Sequence, residues 1–317
     1  MALCTYDGRM RTVRPGILVV LFVGVAAVSS AALFVRLANA PAISTAAMRL
    51  LFASVPTLML LPLRGRRELP RLTRGDWRWI VLSGLFLSLH FATWIASLGM
   101  TTVSSSVALV TTSPLFVAAF VVIRGEHVSR ATLVSMFVCL AGGLLIGYAD
   151  FGRGADAIKG DLLALAGAAF AALYFAIGRR LRGYTSMTTY IGVVYPIAAI
   201  GLVLIALGAR QPLSGFSGKT YLMFVLMALL PQLLGHSALN WALGYLSAPF
   251  VAIAVLGEPV IATILAAIFL SELPGPWRIV GGAVVLSGVY LGLRAELHEV
   301  RQSDNTTAAL ISASEVV

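Results

Sequence analysis

The chain has 317 residues, of which 59% are hydrophobic and only 11% charged, far from the roughly 45–50% apolar and 25% charged of water-soluble domains. Its formal net charge of +10 does not mark a nucleic-acid binder, because the cations sit at the ends of apolar runs and form no basic reading face. A Walker-type phosphate loop is absent from the sequence, so any transport would be gradient-driven or facilitated.

A spanning helix requires about 20 apolar residues, and ten such stretches follow one another: 16–35, 43–63, 79–99, 102–123, 131–149, 161–178, 186–208, 220–240, 247–270 and 277–293. The first follows Arg9, Arg11 and Arg14 and has the outline of a signal peptide, but its length predicts a retained helix. Phe34 ends that stretch, and Tyr174 holds the equivalent position in the sixth. Both suit hydrophobic gates or plain aromatic packing.

The second stretch holds Arg49, the one full cation away from the ends of a span. An arginine at a helix centre costs about 2.5–3.5 kcal/mol on insertion scales, so it should face protein or water. It reads either as a carboxylate clamp or as a structural tie to carbonyls or headgroups. In the third stretch His90, Trp94 and Ser97 share one helical face, and in the eighth Gln232, His236 and Asn240 do the same, with Trp241 beside them. Such faces can line a common cavity or bond neighbouring helices.

The fourth stretch carries Thr111, Thr112 and Ser113 before Pro114, and the ninth carries Glu258 before Pro259. Both prolines predict kinks that free backbone carbonyls. Glu258, the one carboxylate deep in a span, reads as a proton carrier or amine ligand, or as a neutral acid bonded to a neighbouring helix. The segment 295–317 is polar and is predicted to be a disordered tail. Cys4 and Cys139 do not suggest a disulfide framework.

Charge placement gives an orientation. With the N-terminus inside, sixteen of the 23 lysines and arginines fall on cytoplasmic segments, so both termini are predicted to be cytoplasmic.

The sequence also aligns on itself. Ala31-Ala32-Leu33-Phe34 matches Ala171-Ala172-Leu173-Tyr174, Pro114 matches Pro259, Glu126 matches Glu272, and Leu140-Ala141-Gly142 matches Leu286-Ser287-Gly288. Five helices per half is an odd number, so the second half enters the bilayer upside-down. Inverted repeats with a solute site at their interface are typical of secondary transporters. The predicted fold is thus an all-α integral membrane protein of ten transmembrane helices in two inverted five-helix repeats. The expected organisation is a cytoplasmic tail 1–15, repeats 16–149 and 161–294, and the tail 295–317.

On these residues the chain resembles the drug/metabolite transporter superfamily, in particular its ten-helix EamA-type permeases. The resemblance is carried by Pro41 followed by Arg49, by Pro114 followed by Gly125-Glu126, by Gly257-Glu258-Pro259 followed by Ser271-Glu272, and by the glycines Gly281, Gly282 and Gly288. It implies a multi-pass protein of the cell membrane, of the inner-membrane type in bacteria, that exports a small, amino-acid-like metabolite. Protons are the candidate coupling ion. Neither cofactor nor metal, neither nucleic acid nor enzymatic activity is expected; the partners are the solute and the lipid bilayer.

Glu258 could then meet an amine, and Arg49, His90 or His236 a carboxylate, with Trp94 and Trp241 as apolar wall and Thr112 adding a hydroxyl. Two alternatives remain at this point. One is a membrane-embedded enzyme with His90, His236 and Glu258 as metal ligands, since three such ligands suffice for catalytic zinc. The other is a lipid-moving protein.

Overall fold

The computed structural model describes residues 15–101, 103–123, 125, 128–147, 155–270 and 275–314. Glu126, Ser271 and Glu272 lie outside the described residues, as does the 1–14 segment. Among the described residues all regular structure is helical. In chain order the α-helices are α1 (Pro15–Ser29), α2 (Ala31–Ala38), α3 (Ala42–Glu68), α4 (Arg74–Ser97), α5 (Val103–Val110), α6 (Ser113–Ile123) and α7 (Arg130–Gly147). There follow α8 (Ala155–Arg182), α9 (Met187–Gly208), α10 (Gly218–Met227), a π-helical segment Ala228–His236, α11 (Ser237–Ala242), α12 (Ala248–Val255), α13 (Glu258–Leu270) and α14 (Pro276–Ser314).

Among the described residues, eight helical stretches are long and apolar enough to cross a membrane. The expected fourth and fifth spans fall short of that length. A two-residue break at Thr111-Thr112 divides the fourth into α5 and α6, and the apolar part of α7 is Arg130–Leu145. Much of the outward surface is apolar, with Met59, Leu63, Leu204 and Ile268 all exposed. That suits lipid contact, while the backbone groups are satisfied within the helices.

Local sequence sets the helix starts. Thr73 and Asp76 form a reciprocal capping box at α4, and Ser186, Ser217 and Ser247 each accept a first-turn N–H at α9, α10 and α12. Each such cap is worth about 1 kcal/mol. The last helix differs from expectation: α14 runs 39 residues to Ser314, so the described part of the 295–317 segment is helical in backbone. Glycine and proline are absent after Gly292, so no residue there breaks the helix. Glu296 also ties its path to α12, accepting from Ser247 N at 2.8 Å and Oγ at 2.5 Å.

Packing treats the two halves as equivalents. The contacts of α4 with α8 are mirrored by those of α1 with the π segment and α11, and those of α5 and α6 with α8 by those of α12 and α13 with α1. Helices α7 and α14 pair with each other, as do α3 and α9. Where α7 crosses α14, a Cβ added to Gly142 would come within 2.8 Å of Val285 and Gly281, and one added to Gly288 would collide with Cys139 and Ser135. A shift of 146 residues, the separation of the Cys139–Val285 hydrogen bond, converts each glycine's surroundings into the other's. The crossing is therefore a local two-fold, antiparallel and close because neither helix bears a side chain at its centre.

The α3–α9 pair is reciprocal in a different way. Gln211, beyond the end of α9, accepts from Ile43 N and Ser44 N at the start of α3, at 3.0 and 3.3 Å. Glu68, at the end of α3, accepts from Ser186 N at the start of α9, at 2.8 Å. Each helix thus supplies the cap of the other, and the two run antiparallel.

Candidate functional site

A small cavity lies where the two halves meet, lined from α1, α3, α4, α8, the π segment, α11 and both broken stretches. Its polar lining is Arg49, His90, Trp94, Thr111, Ser113, His236 and Glu258, and its apolar wall includes Val28, Phe175, Leu239 and Val255.

Arg49 is fully buried. Its Nε donates to Gln232 Oε1 at 2.9 Å, and its Cζ lies 4.2 Å from the centroid of the Phe91 ring, a cation–π contact. Those contacts fix one edge of the guanidinium, whereas Nη1 and Nη2 have no hydrogen-bond partner. The partner residue Gln232 sits in the π-helical segment, which begins three residues before Pro231. Wide turns of this kind recur at functional sites because they redirect side chains that a regular helix would hold in register. Here the segment delivers both Gln232 and His236 to the interior.

His90 bonds through Nδ1 to the carbonyl of Gly167 at 2.9 Å. A carbonyl only accepts, so Nδ1 carries the proton and a neutral ring leaves Nε2 as an acceptor. The His90 ring stacks on Trp94, 6.1 Å between centroids at 4°, and lies 6.4 Å from His236. Trp94 Nε1 and His236 Nδ1 are buried without hydrogen-bond partners. The third- and eighth-stretch faces that the sequence singled out thus meet in the middle of the molecule.

Other candidates lie elsewhere. Thr112 spends its hydroxyl on Leu109 O at 2.7 Å and does not line the cavity; its neighbours Thr111 and Ser113 do. Asn240 donates to Tyr174 Oη and to His236 O, behind the lining. Trp241 packs on Tyr245, 4.6 Å between ring centroids, away from the cavity. Ser97 pairs with Ser106 at 2.6 Å.

The two gate candidates have different surroundings. Tyr174 is fully buried, 6.4 Å from the His236 ring, whereas Phe34 packs into a satellite cluster with Met48, Met223, Phe224 and Met227. The reason is the turn at Ser30, which separates α1 from α2 and sends Phe34 to α10, while α8 is continuous. Pro114 and Pro259 also differ from the expected kinks. Each is the second residue of a new helix, α6 or α13, in the first turn where a missing N–H costs nothing.

Sequence reasoning missed Phe91 and Tyr195. Tyr195, fully buried, bonds to Ser237 Oγ at 3.2 Å and donates to Gln232 O at 3.4 Å. A tyrosine amid the apolar run before Pro196 was the available signal. Among the described residues no three His, Cys, Asp or Glu side chains are grouped to hold a metal ion. His90, His236 and Glu258, the ligand set of the metal-enzyme alternative, do not form such a group.

Comparison with known proteins comes from three directions. The sequence matches the EamA-like transporter family over residues 14–148 and 158–294. It is 28% identical over 221 residues to an uncharacterized transporter of Archaeoglobus fulgidus, covering 67% of this chain and 75% of that one. It is 27% identical over 209 residues to the uncharacterized transporter YdfC of Bacillus subtilis, covering 64% and 67% respectively. A protein of known crystal structure shares the fold, with a TM-score of 0.72 at 19% identity over 89% of this chain and 98% of its own.

Proposed function

The chain belongs to the EamA-like transporter family, and from that premise we propose that it exports a small, amino-acid-like metabolite by alternating access. In this reading ten helices cross the membrane, including α5–α6 and α7, in inverted repeats 16–149 and 161–294 with both termini cytoplasmic. The excess of arginine on the segments assigned to that side supports the orientation. A bacterial inner membrane is the proposed location.

The observation that carries this reading is the cavity between the halves, whose lining includes polar atoms left without partners: Arg49 Nη1 and Nη2, Trp94 Nε1 and His236 Nδ1. Leaving one such group buried and unsatisfied costs about 1–3 kcal/mol. A bundle that served only its own stability would have satisfied them or replaced them with apolar groups. A solute carboxylate supplies acceptors for the Arg49 and Trp94 donors, and its amine finds Glu258 and the His90 acceptor. Phe175, Val28, Leu239 and Val255 offer an apolar surface to the remainder.

The test is flux into liposomes containing the purified protein, offered labelled neutral, aromatic and basic amino acids with and without a pH gradient. Gradient-dependent accumulation above empty liposomes supports the reading. Absence of flux with every member strikes out the amino-acid assignment.

Two substitutions refine it. Glu258→Gln keeps the size of the side chain and removes its titration, so flux becomes independent of the pH gradient if Glu258 carries the coupled proton. Retention of the full gradient response removes it from that role. His236→Ala deletes a ring whose Nδ1 bonds to nothing in the protein. It should weaken solute binding roughly 3- to 10-fold, the worth of one ordinary hydrogen bond, with a smaller effect on Tm. A collapse in Tm with normal flux per folded molecule would make the histidine structural.

A further inference from the structure

The two broken stretches are equivalent, and they differ at one telling position. A shift of 145 residues carries the break at Thr111-Thr112 to Leu256-Gly257, Pro114 to Pro259, and Ser113 to Glu258. Both breaks occur at the cavity, and Ser113 and Glu258, the first residues of α6 and α13, both line it. Two half-helices therefore begin at one cavity, each bringing the partial positive charge of its amino end. In α13 that end already has an acidic side chain of its own, Glu258, in the first turn. In α6, an 11-residue helix, the first turn contains no acidic residue.

An uncompensated helix start is not by itself a site. The second observation is Arg49, which lines the same cavity, is fully buried, and has Nη1 and Nη2 without partners. Trp94 Nε1–H is a further unpartnered donor on that lining. The carboxyl ends of α5 and α12, at Val110 and Val255, reach the same cavity and offset part of the helix charge, but the unpartnered donors of Arg49 and Trp94 still exceed what Glu258 alone can answer. Amino ends of interrupted helices that hold an anionic solute group are an established device in transporters.

We propose that the amino end of α6, with Ser113 at its first position and Arg49 on the same cavity, is the subsite for a carboxylate of the solute. The solute supplies there the negative charge that Glu258 supplies at the matching end of α13. Ser113 is a specificity-determining residue because it is small and neutral, which leaves the position open to a charged group. This gives the solute a direction: anionic end toward α6 and cationic end toward α13. The inference rests on reading the cavity as the solute site, and adds which helix end holds which charge.

The experiment uses the full-length protein in nanodiscs and two small probes, butyrate for the anionic subsite and butylamine for the cationic one, read by saturation-transfer NMR. Ser113→Asp is compared with Ser113→Asn, which matches it in size and differs in charge, so a general disturbance from the larger side chain appears in both. Ser113→Asp should lose butyrate binding by about tenfold or more relative to Ser113→Asn, the effect of placing the protein's own anion at the helix start. Butylamine binding should persist in both. Glu258→Gln should show the converse, with butylamine weakened and butyrate retained.

Equal butyrate binding by the Asp and Asn variants overturns the proposal, as does failure of the wild-type protein to bind butyrate. Liposome flux separates this result from the transport reading. Normal amino-acid flux in Ser113→Asp overturns the subsite and leaves the transporter. Butyrate binding that depends on Ser113, with no amino-acid flux in the wild type, keeps the subsite and removes the amino-acid assignment.

Discussion

Replacing Arg49 with Met is expected to weaken solute binding by roughly 30-fold to several thousand-fold, the 2–5 kcal/mol typical of removing one member of a buried hydrogen-bonded charge pair. The helices should nevertheless remain assembled. The substitution leaves Gln232 Oε1 without the Arg49 Nε donor, which costs about 1–3 kcal/mol. Against that, it removes a buried cation with two unpartnered nitrogens and puts an apolar side chain of similar length beside Phe91. Removing a buried cation that has no carboxylate within ion-pair distance among the described residues also removes its desolvation penalty. Tm should therefore change little, or rise, while binding is lost. Arg49→Lys keeps the charge but not the planar fork, and should recover only part of the affinity. Calorimetric titration with whichever solute the liposome assay identifies, beside a thermal melt, reads both quantities. Unaltered affinity in Arg49→Met would assign this residue to the scaffold.

The second large effect concerns stability alone. Gly142→Val and Gly288→Val each place a side chain in the α7–α14 crossing, where even a Cβ would meet backbone atoms of the opposite helix. Overpacking of this kind typically costs about 1–3 kcal/mol, and more is expected where backbone must yield. Because the crossing is a local two-fold, the two substitutions should lower Tm by similar amounts. Having separated the helices once, their combination should cost less than the sum. Flux per folded molecule should stay near normal, since neither glycine lines the central cavity. A large loss at one position with none at the other would disprove the two-fold character of the crossing.

How far the sequence led can be judged from individual residues. The helical membrane fold follows from composition and span length, because a bilayer leaves few ways to satisfy a backbone; the family was legible as a resemblance carried by motifs such as Gly257-Glu258-Pro259, and the meeting of His90 with His236 from the correspondence of the third and eighth stretches. Arg49 was legible for the same reason: a lone cation in an apolar run must find protein or water. Its partners were not, since Gln232 reaches it through a π turn that no periodicity announces. The breaks before Pro114 and Pro259 read as kinks because proline forbids the same hydrogen bond in either case; what separates them is whether the preceding two residues leave the helix. Phe34 and Tyr174 match in sequence yet sit in different surroundings, since the turn at Ser30 depends on packing. The Glu68 and Gln211 caps join residues 118 and 168 apart in the chain, beyond any local signal.

Those two caps have a consequence for how the molecule coheres. In an isologous contact, residue i of one partner touches residue j of the other while j touches i. Glu68 with Ser186 and Gln211 with Ile43 obey that rule within one chain, and so do Gly142 with Val285 and Gly288 with Cys139. The two halves are held together as the subunits of a homodimer are, by surfaces that recognise each other. Covalent continuity also let the paired positions diverge, Glu68 from Gln211 and Ser113 from Glu258, which identical subunits cannot do.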